Sequence, residues 1–175
     1  MTKTIKSERV QKALELSNTK FKRLFGVKIE TFVCMLEILQ VAFSDLHKQG
    51  GKPLTKLQVE DKLLLTLQSW REYRTMEHLG YEYGVVKSAV HSAMVWVENT
   101  LIREGTFRLP GKNALIAGKN RPELALERIV IEHINCKIKV FKIIAERYRN
   151  RRRRHKLRMT LLCAIHNYEI IHHRG

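Results

Sequence analysis

The chain has 175 residues, 44% of them hydrophobic, and a formal net charge of +16. That balance excludes a disordered chain and allows one domain or two small helical ones. No apolar run approaches the roughly 20 residues that a membrane helix needs, and MTKTIKSERVQ at the N-terminus lacks the apolar segment of a signal peptide.

In chain order, residues 2–16 read as a charged lead-in with room for a short helix. Ser17, Asn18 and Thr19 offer an N-cap for a helix through Phe21, Leu24 and Phe25, which Gly26 ends. From Lys28 to Lys48, apolar residues recur at Ile29, Phe32, Val33, Leu36, Leu39 and Phe43, the spacing of an amphipathic helix. Gln49-Gly50-Gly51-Lys52-Pro53 breaks the chain. Thr55-Lys56-Leu57-Gln58 fits a capping box and predicts a helix to about Tyr73, with Leu63, Leu64, Leu67 and Trp70 on it. Two helices are predicted next, Thr75–Tyr81 and Lys87–Arg103, with a turn at Gly84-Val85. Gly105–Asn120 contains Pro110, Gly111 and Gly118 and reads as a linker. Pro122 suits the first turn of a helix through ERIVIEHINCKIK. The basic run RYRNRRRRHKLR follows, then Met159–Ile171, apolar enough to pack as a final helix. KVFKII at 139–144 is the one segment ambiguous between strand and helix.

Charge points to the partner. Residues 116–175 hold 15 Lys+Arg against 5 Asp+Glu, a net of +10; residues 1–115 hold 18 against 12, a net of +6. Such a field attracts a polyanion, and nucleic acid fits better than an anionic membrane, because no basic helix carries a Trp/Phe face. Cys34, Cys136 and Cys163 are odd in number and lack CxxC spacing. They read as reduced core thiols of a cytosolic protein, not as a zinc site or disulfide framework.

A short helix, a glycine-containing turn and a longer second helix make a DNA-reading unit, in which the second helix enters the major groove. Its first turns here carry Lys87, Ser88, Ala89, His91 and Ser92, small and polar residues suited to base edges. A helical hairpin in an ordinary bundle is the other reading. Val86 stands where a Ser, Thr or Asp cap is expected, so Ser88 is a second candidate to start the helix.

In ERIVIEHINCKIK, helical residues advance by about 100° each, so Arg128, Glu132 and Lys139 fall within about 40° of one another. From spacing alone this stripe is a solvated face with an Arg128–Glu132 pair at i,i+4, although a charged stripe on a mostly apolar helix also suits a site. In the basic run, Arg149, Arg151, Arg152, Arg153, Arg154 and Lys156 form a candidate phosphate-contacting arm. A localisation signal and a solvated connector remain open there.

Two blocks carry a resemblance. FKRLFGVKIETFVCMLEIL, with LQVEDKLLLTLQSWREYRTMEHLGYEYGVVKSAVH, resembles the N-terminal helical domain of bacterial insertion-sequence transposases of the insertion-sequence "five" type, within the DDE superfamily. LALERIVIEHINCKIKVFKIIAERYRNRRRRHKLRMTLLCAIHNYEI resembles the C-terminal end of the same proteins. The family pattern there is Tyr-x2-Arg-x3-Glu-x6-Lys; this chain has Arg128, Glu132 and Lys139 at those spacings and Ala125 at the tyrosine position. The resemblance implies that Glu132 is the family's third metal-binding carboxylate and that Lys139 sits near the DNA being cut.

The family's other two acids are aspartates on strands of an RNase H-like sheet, and the three together hold two Mg²⁺ ions about 4 Å apart. One carboxylate cannot do that. This chain has two aspartates, Asp45 and Asp61, both in the N-terminal helical block. An internal deletion with its junction near Ala117–Pro122 accounts for the pattern, leaving Glu132 as a remnant of an incomplete metal site.

The expected fold is therefore all-α: a helical bundle with a helix-turn-helix, then a linker and two C-terminal helices, with the RNase H-like sheet absent. The expected parts are a lead-in (1–16), a helix-turn-helix DNA-binding domain (17–105), a linker at the deletion junction (106–121) and a remnant of the catalytic domain (122–175). The expected function is binding to DNA at transposon terminal inverted repeats without cutting or joining strands. No cofactor is expected for this chain, against Mg²⁺ in the intact family. The expected partners are DNA and either a second copy or intact transposase, with no membrane, and the expected location is the bacterial cytoplasm in association with DNA. The alternatives are an active transposase completed by a partner chain and a non-specific basic nucleic-acid binder. The deletion also predicts a loosely packed or self-associating C-terminal part, because the sheet that would cover it is missing.

Overall fold

The computed structural model describes residues 7–48, 57–107, 109, 136–146 and 154–172. Among these the secondary structure is helical, with no strand. The helices are α1 (Glu8–Leu14), α2 (Asn18–Phe25), α3 (Ile29–Lys48), α4 (Val59–Glu72), α5 (Met76–Tyr83), α6 (Lys87–Glu104), α7 (Lys142–Ala145) and α8 (His155–His172).

Local chemistry explains most boundaries. The Ser17 hydroxyl accepts from the Lys20 amide and starts α2; Gly26, at φ +84°, ends it. A side chain there would also meet the Phe141 ring, so this glycine permits both a left-handed turn and a close approach. The predicted capping box is shifted. Gln58 occupies the cap position of α4, and the Asp61 carboxylate accepts from the Gln58 amide at 3.3 Å. Thr55, predicted to start this helix, lies outside the described residues. The ambiguous 139–144 segment resolves as a turn followed by the short helix α7.

The main core runs through both ends of the chain. Phe21, Phe25, Phe32, Met35 and Leu39 from α2 and α3 pack with Leu63, Leu67 and Trp70 of α4 and with Val97 and Leu101 of α6. Leu161, Leu162, Ala164 and Ile165 of α8 are buried in the same cluster. This reverses the expectation of a loosely packed C-terminal end, as far as α8 is concerned. The helix was free to do so because its apolar face matches the one exposed by α2, α3 and α6. Two polar anchors fix its register. Near its end, Glu169 accepts from Lys22 Nζ at 2.5 Å, the Lys28 amide at 2.6 Å and Thr31 Oγ1 at 3.2 Å. Near its start, Arg154 and Arg158 meet Glu98 of α6. The Glu127–Lys139 helix, which was expected to need a new partner, falls mostly outside the described residues.

A second, smaller core lies under α5 and the first half of α6. It consists of Leu57, Leu65, Leu79, Tyr83, Val90, Ala93 and Met94.

Candidate nucleic-acid interface

The second core explains how α5 and α6 are held. Leu79 and Tyr83 face Val90, Ala93 and Met94, which fixes the angle between the two helices. The turn between them is tight. Gly84 sits at φ +66°, and the Val85 amide donates to the Gly80 carbonyl at 2.8 Å. A Cβ at Gly80 would come within 2.6 Å of the Val85 oxygen, so the chain can double back only over a glycine. The Thr75 hydroxyl caps α5 by accepting from the His78 amide at 3.2 Å.

Further contacts tie this unit to the rest of the protein. Tyr83 donates its hydroxyl to Gln68 of α4 at 2.8 Å, and its burial pushes that hydroxyl's pKa well up. Arg9 of α1 stacks over the Tyr83 ring at 4.6 Å and donates to the Glu82 carbonyl at 2.6 Å. The unit is thus a rigid outgrowth of the bundle.

Helix α6 starts at Lys87 with Val86 at the cap position and no side-chain cap. The helix therefore does not wait for Ser88. The Ala89 amide already donates to the Val86 carbonyl at 2.9 Å, which leaves the amides of Lys87 and Ser88 for another partner, and an anion suits them. Lys87, Ser88, His91 and Ser92 are all exposed and line one shallow concavity of about 600 Å³ with Met76 and Val86. The structure thus brings together four of the five residues picked out on α6, and leaves out the half-buried Ala89.

One partner was missed. Lys87 Nζ is 2.9 Å from Glu77 on α5, and this hydrogen bond, with the lysine charge, lowers the Glu77 pKa. Any other partner of the Lys87 ammonium therefore competes with Glu77. The signal was available, since Glu77 sits one position into α5 and Lys87 at the start of α6. Tyr81, beside the turn, is 93% exposed.

The arginine run divides. Arg149, Arg151, Arg152 and Arg153 lie outside the described residues, while Lys156 is exposed on α8. Arg154 is engaged: its Nε donates to Glu98 at 2.7 Å and one terminal nitrogen to Asn99 at 2.9 Å. Of the stripe, Arg128 and Glu132 are outside the described residues, and Lys139 is exposed in the turn before Phe141.

A two-metal site needs clustered carboxylates. Asp61 is already bonded to Ser7 Oγ at 2.6 Å and to the Gln58 amide; Asp45 pairs with Lys48 at 3.2 Å on an exposed face of α3. No group of three or more His, Cys, Asp or Glu among the described residues is arranged to hold a metal ion. The two aspartates therefore do not fit the Mg²⁺ role.

A capped short helix, a left-handed glycine turn and an exposed polar start to the following helix define the helix-turn-helix class of DNA-reading units. Residues 55–107 match the family described as the helix-turn-helix of DDE superfamily endonuclease. The chain is also 37% identical over 118 residues to the probable transposase for insertion sequence element IS702 of Microchaete diplosiphon. That match covers 67% of this chain and 42% of the relative, so it spans less than half of the relative's length. No solved structure matches the chain. The chain thus carries, over residues 55–107, a helix-turn-helix of the DDE superfamily endonuclease type, and it is similar to an insertion-sequence transposase over two thirds of its own length. Among the described residues, no helix is long and apolar enough to cross a membrane.

Proposed function

We propose that this chain is an internally deleted transposase that binds DNA, reads the terminal inverted repeats of its element, and neither cuts nor joins strands by itself. The observation that carries the reading is the shared exposure of Lys87, Ser88, His91 and Ser92 on a helix held rigidly by its own small core. Ser88, His91 and Ser92 can offer donors and acceptors to base edges in the major groove. The uncapped amides of α6 and the surplus positive charge supply phosphate contacts. The reading without catalysis is supported by the aspartates: Asp45 and Asp61, the two in this sequence, are engaged on separate helices. A chain that binds the ends without cutting them would compete with intact transposase for those ends.

The test is fluorescence anisotropy over a range of salt, with a duplex carrying the inverted repeat that flanks the gene and a scrambled duplex. The expected result is tighter binding to the repeat that survives at physiological salt. Equal binding that vanishes as salt rises would leave a non-specific basic binder. Strand cleavage with Mg²⁺ or Mn²⁺ that is lost on Glu132→Ala would instead establish an enzyme completed by a second chain.

A further inference from the structure

Glu98 is fully buried on α6 and holds Arg158 of α8 and Arg154, the residue just before α8. Arg158 Nε donates to one carboxylate oxygen at 2.6 Å, and Arg154 Nε to the other at 2.7 Å. Arg158 is 4% exposed in its side chain and Arg154 is 25% exposed, so of the two it is Arg154 that reaches solvent.

The guanidinium of Arg154 is aimed as well as held. Its second contact, at 2.9 Å, is the Asn99 side-chain oxygen on the exposed face of α6. Asn99 lies seven residues beyond Ser92 and eleven beyond Ser88. At about 100° per residue, these three fall within about 20° of one line along the helix, and Asn99 is about 10 Å past Ser92. The major groove is about 12 Å wide, so a helix that puts Ser88 and Ser92 over base edges carries Asn99 to the groove's rim, where the phosphates run. Arg154 has five N–H donors in a planar fork, of which the contacts to Glu98 and Asn99 use two. On its other side Asn99 lines the groove between α3 and α6, where Glu37, Asp45 and Glu104 stand with Arg103.

We propose that Arg154, oriented by Glu98 and Asn99, is a phosphate-binding residue at the rim of the groove that α6 enters, so that the C-terminal block completes the DNA surface of the helix-turn-helix. Glu98 and Asn99 are positioning residues in this arrangement. The inference rests on the reading of α6 as the DNA-contacting helix.

The variant Arg154→Ala tests it. The buried Glu98 keeps Arg158 and the Trp70 indole as partners, so the fold has no uncompensated charge to absorb. Arg154→Lys keeps the charge but loses the fork, and Arg103→Ala is the control for loss of a charge further along the same helix. Binding is measured by anisotropy on the inverted-repeat duplex and its scrambled counterpart between 50 and 300 mM salt. Arg154→Ala is expected to weaken binding to both duplexes by about 5- to 10-fold and to lower the slope of log affinity against log salt by about one, leaving the ratio between duplexes unchanged. Arg154→Lys should fall between, and Arg103→Ala should leave the slope as it was. An unchanged slope in Arg154→Ala, or an equal change in Arg103→Ala, overturns the proposal while the wild-type preference for the repeat stands. A wild-type chain with no preference between duplexes overturns the underlying reading instead.

Discussion

The indole of Trp70 donates to Glu98 at 3.3 Å, and both side chains are fully buried. This bond joins α4 to α6 at the point where α8 arrives with Arg154 and Arg158. A buried carboxylate is tolerated because three donors surround it; removing the carboxylate leaves the Arg158 charge buried without it. Glu98→Ala is expected to cost about 3–5 kcal/mol and Trp70→Phe about 1 kcal/mol in urea unfolding. Comparable small losses for both would show that the cluster bears little on stability.

Two glycines in left-handed turns should respond differently to alanine. Gly84, at φ +66°, has open space around the missing Cβ, so Gly84→Ala meets only the backbone penalty of about 1 kcal/mol. Gly26→Ala adds a clash with Phe141 and should cost more, with increased proteolytic nicking near residues 136–146. Equal unfolding midpoints for the two variants would contradict this ordering.

Stability should fall as the medium is acidified below neutral. The pKa of His166 on α8 is lowered, first by burial and then by the charges of Lys137 and Lys22, against a smaller opposing pull from Glu169. Its Nε2 is buried without a hydrogen-bond partner. With the folded value below the unfolded one, the unfolded chain binds more protons between the two. The stabilisation is therefore complete above the unfolded value of about 6.5 and is lost as pH falls through the folded value. Urea midpoints measured from pH 7.5 to 5 should drop for the wild type and drop less for His166→Leu. Parallel curves would assign the effect to other groups.

Glu77 should act as a brake on DNA binding. It neutralises Lys87 in the exposed pair, and such pairs exchange readily. Glu77→Gln is expected to raise affinity for any duplex by about 2- to 5-fold at low salt, the effect fading as salt rises. Anisotropy that shows no gain would mean that Lys87 stays clear of phosphate.

His91 should govern preference more than strength. It is exposed on the same face as Ser88 and Ser92. His91→Ala should reduce the ratio of affinities for repeat and scrambled duplexes by the equivalent of about 1–3 kcal/mol, with the salt slope unchanged. A loss shared equally by both duplexes would place His91 on the DNA backbone instead of the bases.

The elements were legible in sequence because their signals are local. Ser17 and Gly26 bound α2, the apolar spacing from Ile29 marks α3, and Gly84 with Val85 separates α5 from α6. Residues 87, 88, 91 and 92 could be picked out because periodicity alone puts them on one side of α6 near its start. The chain's sequence by itself determined the all-helical class, the helix-turn-helix and the excess of positive charge. Tertiary structure decided what each charge does. Glu98 and Arg154 are 56 residues apart, and Lys22 and Glu169 are 147 apart. No spacing rule reaches that far, because such pairs form only when separate apolar faces pack and leave particular acids and bases buried side by side. That is why Arg154, read in sequence as one of a run of phosphate-contacting arginines, is held in place by an acid on α6.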